Sequence, residues 1–110
     1  MIRKMIINLT STHAGQEIPK PEAKETFVLK GMGSRIGEEA VIYTIPSRTH
    51  ERRFEKGIII SEFEQTYSQF KATGELSRQW FDEHLLACAK EGSCNFTTIG
   101  GFFQLLALAR

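Results

Sequence analysis

Apolar and polar positions change their period along this chain near residue 60. Ahead of that point, apolar residues come in short runs broken by glycine and proline, the mark of strands joined by turns. Residues 26–30 read as a short strand, 40–45 as a firmer one ended by Pro46, and 58–60 as a further short one. Gly31, Gly33, Ser34 and Gly37 lie between the first two, which predicts a β-hairpin with a long, flexible turn. Residues 1–9 fit two templates: Ile2, Met5, Ile6 and Leu9 form a helical stripe, whereas Met5, Ile7 and Leu9 form a strand face. Isoleucine favours strands, so a strand is expected. Residues 10–24, with Gly15, Pro19 and Pro21, read as a polar connector, and residues 47–56 as a charged loop.

After residue 60 the spacing becomes helical. Ser61 with Glu64 matches the S-x-x-E capping box, and Phe63, Tyr67 and Phe70 follow at i, i+4, i+7, with Gly74 as the stop. Ser77 caps a second helix whose stripe is Phe81, Leu85 and Cys88; Arg78 and Asp82 pair at i, i+4, and Gly92 ends it. The third helix, residues 96–109, is apolar nearly all round (Phe96, Ile99, Phe102, Phe103, Leu105, Leu106, Leu108), so it must be buried nearly all round. It is either central to the fold or shares a face with another subunit. Gly100 and Gly101 each cost about 1 kcal/mol of helix propensity, and a close approach of a neighbouring element would compensate. Strands followed by helices predict one α+β domain over residues 1–110: a small antiparallel sheet in the β-rich half (1–60) and three helices (61–110) on one of its faces.

Composition adds exclusions. The chain has 110 residues, 41% of them hydrophobic and 25% charged, with a formal charge of +1. This suits an ordinary globular domain and excludes a disordered tail. There is no global field to attract nucleic acid or a membrane surface. Residues 1–60 hold ten Lys/Arg and seven Asp/Glu, against four and six in residues 61–110, so any nucleic-acid contact is local to the first half. The apolar start of residues 1–9 is too short for an export signal, and the uncharged run 95–109 is too short to span a bilayer. A cytoplasmic protein without a membrane partner is expected, with Cys88 and Cys94 as reduced thiols.

Four groups of residues carry chemistry worth weighing. Arg48, Arg52, Arg53 and Lys56, with His50, form a basic cluster able to grip phosphates, diluted by Glu51 and Glu55. His84, Cys88 and Cys94 offer imidazole and thiolate ligands for zinc, but lack a fourth ligand and any C-x-x-C spacing; Glu91, His13 or His50 would have to supply it. Gly31-x-Gly33-x3-Gly37 has the look of a phosphate loop, yet two glutamates and a β-pattern follow it, so a hairpin turn is the better reading. The last helix exposes too few polar side chains to read a DNA groove. No nucleophile elbow, carboxylate dyad or cofactor motif occurs, so no catalytic residue and no cofactor is assigned. Trp80, Phe102, Phe103 and Leu106 are the expected dimer anchors.

Residues 55–58 (Glu-Lys-Gly-Ile), 61–64 (Ser-Glu-Phe-Glu), Thr73-Gly74-Glu75, Trp80-Phe81 and, most specifically, 94–101 (Cys-Asn-Phe-Thr-Thr-Ile-Gly-Gly) with Phe102-Phe103 resemble a group of small bacterial proteins encoded in the mobile gene cassettes of integrons. The resemblance spans residues 55–110. It implies a bacterial accessory protein and carries over no activity, ligand or site residue. The expected function is a non-enzymatic binding or interaction module, homodimeric, with an unidentified protein or small-molecule partner. The alternatives are a nucleic-acid-binding regulator working through residues 48–56, and a small enzyme or ligand carrier with a pocket between sheet and helices.

Overall fold

In the computed structural model, residues 2–18, 27–46, 53–92 and 94–106 are described. The elements run α1 (Ile2–Thr12), β1 (Glu17–Ile18), β2 (Phe27–Arg35), β3 (Glu38–Pro46), β4 (Arg53–Ile59), α2 (Ile60–Thr73), α3 (Arg78–His84), α4 (Leu86–Glu91) and α5 (Cys94–Leu105). The four strands form one antiparallel meander in the order β1-β2-β3-β4, and the helices α2–α5 follow it, which is the expected α+β class.

Alternation along the strands gives the sheet two unlike faces. Leu29, Val41, Tyr43 and Ile58 turn inward and join one core with Ile6 of α1, Phe63 of α2, Phe81 of α3 and Ile99, Phe102 and Phe103 of α5. Burying each such phenylalanine contributes about 2–3 kcal/mol. The expected α2 stripe is real: Phe63 is buried, and Tyr67 and Phe70 pack against the core. Phe63 meets Phe102 at 5.1 Å, and Phe103 sits against Tyr67 and Phe70 at 5.9 and 6.0 Å. The opposite sheet face is laced by polar side chains: Lys30 bonds to Glu55 across β3, and Arg53 Nε donates to Thr44 Oγ1 at 2.8 Å.

Several local expectations are corrected. Residues 2–12 form a helix, not a strand, because Ile2, Ile6 and Leu9 fall on one face that α2 and β2 bury, which overrides the β preference of isoleucine. Arg3 fastens this helix to Glu39 and Glu64. The hairpin turn is tight. Gly31 and Gly33 lie inside β2, and Arg35 pairs with Glu38, leaving the two-residue loop Ile36-Gly37. Gly33 stands in the strand because Ile42 leans over it; a Cβ there would come within 2.6 Å of Ile42 Cγ1. Residues 53–56 belong to β4 rather than to a loop, and 47–52 lie outside the described residues.

β4 runs into α2 without a connector, so the cap sits two residues earlier than expected: the Ile59 N–H donates to Glu62 Oε1 at 2.9 Å, and Glu64 is free to face Arg3. The stops and caps at Gly74 and Ser77 are as expected, with Gly74 at φ +78° and Ser77 Oγ accepting from the Trp80 N–H. The second expected helix breaks at Leu85 into α3 and α4, which keeps Phe81, Leu85 and Cys88 all buried. Arg78 turns over the Phe96 ring, 4.7 Å from its centroid, in place of the pairing expected with Asp82. No close approach is found at Gly100, where a Cβ would meet only Leu76 Cδ1 at 3.9 Å among the described residues.

Candidate functional site

The β2–β3 hairpin end, the end of β4, the first turn of α2 and the outer side of α4 enclose a pocket of about 230 Å³ lined by Arg35, Ile36, Ile59, Glu62, Ala87, Cys88 and Glu91. Local sequence explains how each wall is set. Ile36 and Gly37 have φ of +51° and +74°, the signature of a type I′ turn, which joins adjacent strands without splaying them. That turn aims Arg35 back along the sheet and leaves Ile36 82% exposed at the pocket lip. The Arg35 stem crosses Gly57 of β4, and its guanidinium reaches Glu91 at 2.6 Å. Lys56 adds a second tie to the same helix end by donating to the Glu91 carbonyl at 2.8 Å.

Glu62 is the inner polar group. It is fixed by its capping bond to Ile59, and Thr66 Oγ1 donates to its carbonyl at 2.8 Å. Burial raises its carboxyl above the ordinary range; the Ile59 N–H and the Cys88 thiol oppose that shift, while Glu91 and Glu38 reinforce it. Among the described residues no Lys, Arg or His forms an ion pair with Glu62. The Cys88 thiol is pushed up by burial and then by the charge of Glu62. It therefore serves as a neutral wall atom rather than a nucleophile.

A second polar cluster lies in the core, where Tyr43 and Asn95 are both fully buried. Tyr43 Oη donates to Asn95 Oδ1 at 2.5 Å and lies within hydrogen-bond distance of Cys94 Sγ at 3.2 Å, and Asn95 Nδ2 donates to the Cys88 carbonyl at 2.9 Å. Burial drives the Tyr43 hydroxyl far above the usual phenol range, with Cys94 adding to the effect. Thr98 sits one turn after Cys94, and its buried side chain faces the Tyr43 hydroxyl and opposes that rise. This network pins the start of α5 to β3 and to Cys88 in the middle of α4, which is itself a wall of the pocket.

No family model, curated protein or solved structure matches the chain.

Among the described residues, the charged and metal-ligating ones singled out from sequence do not form one site. Arg48 and Arg52 lie outside the described residues. Arg53 and Lys56 stand three apart on one strand and so face opposite sides of the sheet, Arg53 bonded to Thr44 and Lys56 to α4. His84 is exposed and stacks on Trp80 at 5.2 Å, whereas Cys88 is buried, and the described residues contain no group of three metal-ligating side chains. Phe102 and Phe103 are fully covered within one chain, so they are core residues and not dimer anchors; Trp80 and Leu106 are half-buried against the same core. Arg35 and Glu62 carried no signal in sequence beyond ordinary strand and helix charges.

No helix among the described residues is long and apolar enough to cross a membrane.

Proposed function

We propose that this protein is a small-ligand-binding module whose site is the pocket between the β2–β3 hairpin, α2 and α4. One observation carries the reading: a half-buried carboxyl, Glu62, is set into the wall of a concave space and has no cation of the described chain beside it. Glu62 caps α2 through the Ile59 N–H, yet no counter-ion offsets the desolvation of its charge, and such groups cluster at sites where a ligand completes them. The fixed Arg35–Glu91 pair at the lip gives the pocket a defined edge. A bacterial accessory protein, as the resemblance over residues 55–110 implies, has a use for such a module.

Amide chemical shifts of the 15N-labelled protein test this with a set of small cations, anions and neutral compounds. Saturable shifts confined to Ile36, Ile59, Glu62, Ala87, Cys88 and Glu91 are expected. A set that leaves all of these amides unmoved overturns the proposal.

A second reading, an interaction module that self-associates, is favoured by one feature. Ile36 and Leu86, 82% and 59% exposed, are large apolar side chains beside the pocket wall. Light scattering on the wild type and on Ile36→Ser/Leu86→Ser checks it. A dimer that dissociates in the double variant supports the reading, and a wild-type monomer removes it.

A further inference from the structure

Resting on the pocket reading, we infer that the ligand is a small primary amine with a short apolar body, its ammonium seated against Glu62. Charge selects the sign. Two carboxylates, Glu62 and Glu91, line the pocket with one guanidinium, and that guanidinium is already engaged by Glu91 at 2.6 Å. An anionic ligand would have to break this pair and face Glu62 as well. A cation meets Glu62 with no ion pair to break: its carboxyl accepts only from the Ile59 N–H and the neutral Cys88 thiol among the described residues, and neither balances its charge.

Arg35 cannot swing in to neutralise Glu62 without leaving the groove formed by Gly57, where its Nε and Cγ fill the space a side chain would take. The charge of Glu62 is therefore kept available by the packing of the sheet. Chemistry and size narrow the cation. The described residues hold no metal-ligating group of three, so a bare divalent ion is poorly served. A space of about 230 Å³ is below that of drug-sized sites and has room for roughly eight non-hydrogen atoms at about the volume each water takes in the liquid. Ile36, Ile59 and Ala87 offer an apolar wall for a chain of a few carbons.

The test uses three probes of one shape on the full chain: isopentylamine, isovalerate and isopentanol, each titrated against the 15N-labelled protein at neutral pH. The amine is expected to shift the amides of Ile59, Glu62 and Ala87 to Glu91 saturably, with at least tenfold weaker binding of the acid and the alcohol. Glu62→Gln, which keeps an oxygen for the Ile59 N–H, is expected to weaken the amine at least tenfold while its spectrum stays folded. Arg35→Gln, which releases the Glu91 carboxylate, is expected to bind the amine several-fold more tightly, and it reads the same charge rule through a second site. Preferred binding of the acid or the alcohol at these amides overturns the amine inference and leaves the pocket reading standing. No shift from any of the three, together with none from the wider compound set, removes both.

Discussion

Arg35 and Gly57 are packed so closely that a Cβ on Gly57 would stand 2.5 Å from Arg35 Nε and 2.8 Å from its Cγ. These are separations that real Cβ atoms do not show, so the glycine is a seat for the arginine. Gly57 pairs with Ile42 in the sheet, and Ile42 Cδ1 bounds the same seat at 3.1 Å. Substitution at a residue that touches no ligand thus reaches the pocket through the position of one guanidinium.

Gly57→Ala is expected to lift Arg35 from the sheet, break its pair with Glu91 and cost about 1–2 kcal/mol as overpacking. Denaturant unfolding gives the cost, and the arginine side-chain Nε–Hε resonance reports the lost pairing. Unchanged stability and an unchanged resonance would show that the seat is not occupied as described.

Glu62 sets a pH dependence. It is faced by Cys88 and Glu91 from α4, by Glu38 from β3 and by Arg35 across the pocket. Its folded pKa is raised, so the native state keeps the proton at pH values where the unfolded chain has lost it. Stability from this group therefore falls as pH rises from the ordinary carboxylate range through the raised value, and is level above it. Glu62→Gln is expected to remove that slope and leave other titrations in place. Urea midpoints for both proteins across the acidic to neutral range check it, and parallel curves contradict it.

Ile36 holds φ +51° while 82% exposed, a conformation that costs a β-branched residue about 1–2 kcal/mol. Ile36→Asn creates the Asn-Gly pair that type I′ turns favour, and is expected to stabilise the fold by about 1 kcal/mol. The same change is expected to weaken any ligand that lies on the Ile36 side chain. Stability and binding moving in opposite directions would mark the strain as serving the site.

Tyr43→Phe removes the donor to Asn95 Oδ1 and leaves that buried acceptor without its partner. A loss of about 1–3 kcal/mol is expected. Hydrogen exchange at the first turn of α5 should rise with it, because this bond ties that turn to β3.

Sequence alone determined that the main strands β2–β4 precede the helices α2–α5, the α2 stripe of Phe63, Tyr67 and Phe70, and the helix signals at Ser77 and Gly74. These depend on periodicity and capping, which act within a few residues of chain. The tertiary structure decided the rest. Residues 2–12 became a helix because α2 and β2 bury its stripe, and Gly31 and Gly33 joined a strand because Ile42 leans over the second of them. The pocket unites Arg35, Glu62 and Glu91 from three separate elements, brought together by the register of β3 with β2 and β4 and by the direct passage of β4 into α2. Charge and desolvation at that site depend on distances in space, and no local pattern along the chain encodes them.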